Sequence, residues 1–352
     1  MRTIKYEDLH KLKSYILIDA RTPKEFEESP IPGAVNIPAL LDDERVKVGT
    51  AYVRESKEKA KEIGIEQISK RLPEIFRQVN ELSKKYDKLV FYCARGGMRS
   101  SSLEAIFYAL KYKTLKLEGG YKAYRNYIMK DLEEKNKDIK YVVLHGRTGV
   151  GKTKILERLA RRGYSVMDLE KMADHKGSFF GALCEKHKQS QKRLESLIYE
   201  NVNNNISGYN LVESESKRIG NIYIPEIIAD SIINGIHIFI ETSMENRVKI
   251  IMEDYADATI EDLKTCLDRV GRYISKERYE KYLALLNEEK LELLSEILME
   301  KYYDPLYDQS INKYEYEEII NYKTLDEAAD RVAEFLEKKG LLGILEEEEE
   351  SK

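Results

Sequence analysis

Apolar positions along the chain follow two rhythms. Short unbroken runs, YILID within Tyr15–Arg21 and KLVFYC over Lys88–Cys93, have the length and β-branched content of buried strands. KEKAKEIG, ISKRLPEIFRQVNELSKKY and RSSSLEAIFYALKY instead repeat apolar residues every three or four positions, which predicts helices. TPKEF places Pro23 in the first turn of a short helix, and IPGAVNIP (Ile31–Pro38) reads as a turn holding a short strand. The serines at Ser100–Ser102 are suited to cap the helix after them, and TLKLEGGYKAYRNYI adds a strand, a glycine turn and a helix. Strands alternating with helices predict a parallel sheet covered on both faces.

DLEEKNKDIK (Asp131–Lys140) breaks the pattern with a polar, charged stretch and reads as a boundary between domains 1–135 and 136–352. A new α/β pattern follows: strand YVVLHG, a glycine loop, helix KTKILERLARRG and strand YSVMDL. YNLVES (Tyr209–Ser214) and IHIFIE (Ile236–Glu241) are further strands, and Glu245 to Tyr303 is mostly helical. The tail EEEEESK reads as a disordered acidic end, and no internal repeat is present. The fold class expected is α/β throughout, with a helical C-terminal region.

Length and composition fit this division. The 352 residues suffice for two cores, and 42% hydrophobic with 35% charged residues is ordinary for a soluble protein. The sequence has neither a run of about 20 apolar residues nor a secretory h-region. Three scattered cysteines, Cys93, Cys184 and Cys266, suggest no disulfide framework and no zinc site, so a cytoplasmic location is expected. A net charge of −4 requires any RNA partner to meet local basic patches. Candidates are Lys176, then Lys217 and Arg218 within VESESKRIG, and the basic stretches Lys186–Arg193 and Arg269–Arg278, the latter with Arg269 and Arg272. Charged helix faces are more often simply solvated.

Two loops carry chemistry. In FYCARGGMRSSS, Cys93 ends a strand where α/β proteins build their sites. Gly96 and Gly97 let the loop curl its N–H groups inward, and Arg95 and Arg99 add positive charge, so the loop suits an anion beside a nucleophilic sulfur. A lone cysteine is more often structural, but two glycines and two arginines within six residues argue otherwise. The C-x5-R spacing from Cys93 to Arg99 is shared by sulfur-transfer and phosphatase loops and does not separate them.

GRTGVGKT, comprising Gly146, Arg147, Thr148, Gly149, Val150, Gly151, Lys152 and Thr153, fits the P-loop pattern between a strand and a helix. Its backbone would cradle a diphosphate, Lys152 would add a point charge, and Thr153 would face Mg2+. Glu213 and Glu215 follow a strand where a carboxylate serving a metal or its water is expected. Asp168, with Glu170, ends another; solvated loops or helix caps are the plain alternative for all of these.

LIDAR, PKEF, IPGAVNIP and the cysteine loop together resemble a rhodanese domain over about Met1 to Lys130. DDERVKVGTAY, YCARGGMRS, LEGGYKAYR, GRTGVGKT, DLEKMADHKGSFFG, VESESKRIG and YYDPLY extend the likeness along almost the whole chain to the tRNA 2-selenouridine synthases. Lys176 departs from the arginine expected there. The resemblance implies a rhodanese-like domain followed by a P-loop NTPase-like domain acting on wobble 2-thiouridine of tRNA. It implies geranylation of the sulfur from geranyl diphosphate, then replacement of that sulfur by selenium from selenophosphate, supplied by a selenophosphate-producing enzyme. No membrane or DNA partner is expected. Cys93 would serve the selenium step, with Arg95, Gly96, Gly97 and Arg99 holding selenophosphate. The P-loop would hold geranyl diphosphate, and Gly64 in KEIG would belong to geranylation, a helix C-cap being its structural alternative. Taken alone, the two loops also permit a phosphatase fused to a small-molecule kinase, or a scaffold with decayed sites.

Overall fold

The computed structural model describes residues 2–174, 189–256 and 258–341. Lys176, Cys184, residues 186–188 of the Lys186–Arg193 stretch and the acidic tail therefore lie outside the described residues. Among the described residues no helix is long and apolar enough to cross a membrane.

The chain forms two compact units, Met1–Glu134 with Ser190–Glu200, and Lys135–Gln189 with Asn201–Lys352. The first is built on β1 (Thr3–Ile4), β2 (Tyr15–Asp19), β3 (Val35–Asn36), β4 (Lys88–Tyr92) and β5 (Thr114–Leu117). All pair in parallel in the order β1-β5-β4-β2-β3. Ile16, Ile18, Leu89 and Phe91 pack one face of this sheet into a single core with Leu103 and Phe107.

The helices are α1 (Pro23–Glu28), α2 (Asp42–Arg54), α3 (Lys57–Lys85), α4 (Met98–Ala109) and α5 (Gly120–Asn136). Thr22 and Glu25 close a capping box at the head of α1. Two expectations change. α4 starts at Met98 with Gly97 as its N-cap, so the serines lie inside its first turns. Ser100 is fully buried there. Gly64 is no C-cap either, because α3 runs through it, and through Pro73, as one 29-residue helix. The polar stretch expected to be a linker begins as the last turns of α5.

The second unit has a parallel sheet of β6 (Lys140–His145), β7 (Val166–Met167), β8 (Tyr209–Glu213), β11 (Ile236–Glu241) and β12 (Glu318–Asn321); between β8 and β11 lies a small antiparallel pair, β9 (Arg218–Ile219) and β10 (Ile222–Tyr223). The order β12-β11-β6-β8-β7 places β6, which feeds the glycine loop, at the centre. One face packs Val142, Leu144, Ile238 and Ile240 against α6 (Lys152–Arg161) and, far along the chain, α15 (Leu325–Lys338). Between β7 and β8 in the chain come α7 (Leu169–Met172) and α8 (Gln191–Asn203), the latter belonging to the first unit as far as Glu200, and α9 (Glu226–Ile233) precedes β11. After β11 come α10 (Met244–Asp254), α11 (Ile260–Gly271), α12 (Lys276–Asn287), α13 (Leu291–Leu298) and α14 (Asp304–Ile311). The core shared by α10 to α13 includes Ile251, Leu263, Cys266, Leu286 and Leu298, so Cys266 is a packing residue.

Candidate functional site

In the first unit β4 delivers Cys93 to the C-terminal edge of the sheet, with its residue only 3% exposed. The curl expected from the glycines is present: Gly96 has φ +64°. The amide of Gly97 donates to Cys93 Sγ at 3.2 Å, and the hydroxyl of Ser100 donates at 3.2 Å. A serine inside a helix, poor as a helix former, is here a donor to the sulfur. The start of α5 clamps the loop from behind, with the amides of Tyr121 and Lys122 donating to the carbonyls of Cys93 and Ala94 at 2.9 and 3.0 Å. That approach requires Gly120, at φ +59°, where a Cβ would lie 2.1 Å from the Cys93 carbonyl oxygen.

Charge around the loop is partly matched. Arg99 makes a two-pronged pair with Glu25, whose second contact measures 3.2 Å. Burial opposes the Glu25 charge, but the bonds from Arg99 and the Thr22 amide outweigh it and hold its pKa below the usual carboxylate value. Arg95 lines the cavity over Cys93, and Lys116 adds a cation by donating to the Gly96 carbonyl at 3.2 Å. Asp19 and Arg21 of LIDAR form a buried pair at 2.7 Å, with the guanidinium over the Tyr121 ring, and so brace the loop from below.

In the second unit the glycine loop joins β6 to α6. Gly146, at φ +157°, passes so near β11 that a Cβ would lie 2.7 Å from the Ile240 carbonyl oxygen. α10 and α14 hold the loop from outside. Arg247 donates to the Thr148 carbonyl at 2.8 Å and pairs with both oxygens of Asp304, while Arg147 reaches Asp308 at 2.8 Å. Tyr322 donates to the Val150 carbonyl at 2.6 Å. YYDPLY, a plain aromatic and acidic segment in the sequence, is thus a brace for the P-loop.

Inside the loop Lys152 donates to the Gly146 carbonyl at 3.2 Å, with its ammonium 5.9 Å from the centre of the Tyr307 ring. Burial disfavours that charge, yet Tyr307 and the carboxylates Glu213, Glu215 and Glu170 outweigh it and raise the pKa. Thr153 Oγ1 lies 3.3 Å from Glu213 and 3.4 Å from Glu170. Glu170, Glu213 and Glu215 bring one oxygen each within 4.8 Å of one another. Burial and the neighbouring carboxylates push Glu213 well above its usual pKa and Glu215 up to about 8. Glu213 Oε1 is buried and has no hydrogen-bond partner. Crowded, desolvated carboxylates with an orphaned oxygen beside the P-loop threonine fit a divalent cation. Asp168 does not join them: its carboxylate accepts from the Lys171 amide at 2.9 Å as the N-cap of α7.

Beside Glu215, on the α9 side of the sheet, lies a cavity of about 160 Å3 with an aliphatic floor that includes Val143, Ile224 and Ile232. His145 Nε2 and His237 Nδ1 meet at 2.8 Å on its wall, and Tyr314 packs on both rings. Burial, then His237 and Lys152, bring the His145 pKa down to about 3 and keep it neutral.

Comparison with known proteins bears on both units. A family described as "tRNA 2-selenouridine synthase AAA domain" matches residues 139–340, and a rhodanese-like domain matches residues 5–127. A tRNA 2-selenouridine synthase of Sulfurovum sp. (strain NBC37-1) is 30% identical over 84% of this chain and 89% of its own. This chain belongs to the tRNA 2-selenouridine synthase family. The synthase of Hydrogenovibrio crunogenus is likewise 30% identical, over 86% of this chain and 91% of its own. Among solved structures, the N-terminal domain of a putative ATP/GTP binding protein from Clostridium difficile 630 is 42% identical, covering 36% of this chain and 98% of that one, with a TM-score of 0.35.

The remaining candidates of this family member are dispersed. Lys217 pairs with Asp230 at 3.3 Å, and Arg218 donates to the Gly220 carbonyl at 2.8 Å. Arg269 and Arg272 are exposed at the end of α11, beside Tyr273, which is 78% exposed. Gly64 faces α2, where a Cβ would stand 3.9 Å from Val48. Sequence reasoning missed Ser100, Glu25, Gly120, the histidine pair and the Arg247–Asp304 brace. Of these only the Gly119–Gly120 doublet carried a local signal.

Proposed function

We propose that this chain is a tRNA 2-selenouridine synthase, a transferase that works in two steps on wobble 2-thiouridine in the cytoplasm. One observation supports the reading above others. A member of this family keeps both a cysteine with two donors on its sulfur and a P-loop whose threonine lies against two of three clustered carboxylates.

In the first step the P-loop amides and Lys152 bind the diphosphate of geranyl diphosphate. A cation held by Thr153, Glu170, Glu213 and Glu215 would offset the charge of the leaving diphosphate. The thiouridine sulfur forms a bond to C1 of the geranyl group as the C1–O bond breaks, and the N3 proton leaves with diphosphate. The aliphatic cavity beside Glu215 receives the chain.

In the second step the cysteine loop holds selenophosphate through its inward amides, Arg95 and, on exchange of its Glu25 partner, Arg99. Selenium adds to C2 of the base, geranylthiol leaves, and water takes the phosphoryl group to give phosphate. Selenium in selenophosphate is already at the selenide level, so delivery needs no oxidant, whereas a perselenide on Cys93 would need one. Cys93 therefore guides the transfer from its place beside the donor. Alkylation makes sense of the order, because a thioether leaves carbon more readily than a thiocarbonyl sulfur. The tRNA contacts are assigned to Lys176, Lys217, Arg218, Arg269 and Arg272.

The test is nucleoside mass spectrometry of 2-thiouridine tRNA incubated with the protein, geranyl diphosphate and selenophosphate. S-geranyl-2-thiouridine and 2-selenouridine are expected. Unchanged 2-thiouridine with consumption of ATP would favour the fused phosphatase and kinase instead.

A further inference from the structure

The cavity over Cys93 is much larger than one tetrahedral anion requires. It measures about 870 Å3 and is lined by the cysteine loop, the start of α4, Glu25, Leu40 and one flank of α2 from Arg45 to Arg54. Sites of roughly 300–1,000 Å3 hold entire organic ligands. α2 turns Ala51 inward and packs on α3, as an amphipathic helix should. Its other flank is the anomaly. Val46, Gly49, Thr50 and Val53, at spacings i, i+3, i+4 and i+7, form a second apolar or small stripe lining the open cavity. Val46 is 65% exposed, Val53 82% and Tyr52 48%, and Met98 faces the same space at 58%. Arginines rim this apolar surface: Arg45, whose guanidinium lies across Gly49, with Arg54 and Arg95.

We propose that α2 is the nucleotide-binding wall of the cysteine site, where the Val46–Val53 stripe receives the S-linked alkyl chain of the modified uridine and Arg45 and Arg54 contact the flanking RNA phosphates. The proposal rests on the reading above, in which an alkylated base meets selenophosphate at Cys93. The occupant is an RNA nucleotide bearing an apolar substituent because the surface joins two opposite demands. Exposed valines call for a hydrocarbon, and the arginine rim calls for a polyanion. A cavity floored by the sulfur that guides the transfer must also admit the base that receives selenium. Tyr52 offers a ring face for stacking on a base.

The test uses the full-length protein and anticodon stem-loop RNA carrying either 2-thiouridine or S-geranyl-2-thiouridine, with affinity read by fluorescence anisotropy. Wild type is expected to prefer the geranylated RNA by about tenfold or more. Val46→Asp with Val53→Asp should bring that ratio close to one. Arg54→Ala should weaken both RNAs alike and reduce the salt dependence by about one phosphate contact. A double variant that keeps the full preference overturns the proposal, as does a wild type with no preference. A marked fall in melting temperature of the double variant also overturns it, because the stripe is then buried against the chain itself. The earlier reading fails separately, if wild type given geranylated RNA and selenophosphate forms no 2-selenouridine.

Discussion

At the scale of single residues, the chemistry depends on what surrounds two reactive groups. Cys93 and Lys152 were legible because each sits in one contiguous motif. The partners of Cys93 were not, because they arrive from elsewhere, Glu25 from α1 and Gly120 from α5; Glu213, Glu215 and Glu170 were named at strand ends, but their convergence beside Thr153 was not legible. Ser100 was in plain view but read as a cap, since its spacing from Cys93 gains meaning only once the loop curls. Ser100→Ala removes one of two donors to the sulfur. Selenium insertion into geranylated RNA should fall about tenfold or more, with geranylation retained, as assayed by nucleoside mass spectrometry. The carboxylates give a pH prediction. Glu213 and Glu215 have raised values in the folded chain, from a normal value of 4.5. The folded state therefore keeps protons that the unfolded state has lost, and stability falls as pH rises from about 4.5 to about 8. Without divalent cations the melting temperature should decline across that window. Mg2+ should restore it, more at about pH 8 than at about pH 5, and Glu213→Gln should remove most of the Mg2+ effect. A pH-independent melting temperature would contradict the assignment.

At the scale of elements, strand and helix identity followed from hydrophobic period, and the central strands of both sheets were expected where they stand. What periodicity could not reveal was which helix end supports which loop. α14 is polar, aromatic and acidic, yet Asp304 and Asp308 from it pin Arg247 and Arg147 against the P-loop. The Arg247–Asp304 pair is nearly dry, with side-chain exposures of 6% and 16%. Breaking it strands a buried guanidinium. Asp304→Ala should destabilise the second unit by about 3–5 kcal/mol in urea denaturation and lower affinity for diphosphate, whereas a surface pair such as Lys276–Glu280 should matter little. Gly64 illustrates the converse. Its KEIG context suggested a helix end, but the helix continues, and a Cβ there would stand 3.9 Å from Val48 on α2, an ordinary contact. That helix lines the cysteine cavity.

At the scale of the whole molecule, one chain carries two parallel sheets, each presenting a glycine-bearing loop, the candidate anion site, at its C-terminal edge. The sequence showed this plan through two strand–loop–helix motifs separated by a charged stretch. It did not show that Ser190–Glu200 belongs with the first unit, because helical segments rich in lysine and glutamate have no local mark of the core they join. The central claim is a division of labour, alkylation at the lysine loop and selenium insertion at the cysteine loop. It is tested most directly by nucleoside mass spectrometry of 2-thiouridine tRNA treated with Cys93→Ala or Lys152→Ala, each confirmed folded by thermal melting. The account predicts that Cys93→Ala accumulates S-geranyl-2-thiouridine without selenium, and that Lys152→Ala leaves 2-thiouridine unalkylated yet still converts pre-geranylated tRNA to 2-selenouridine. Equal loss of both reactions in either folded variant would contradict it.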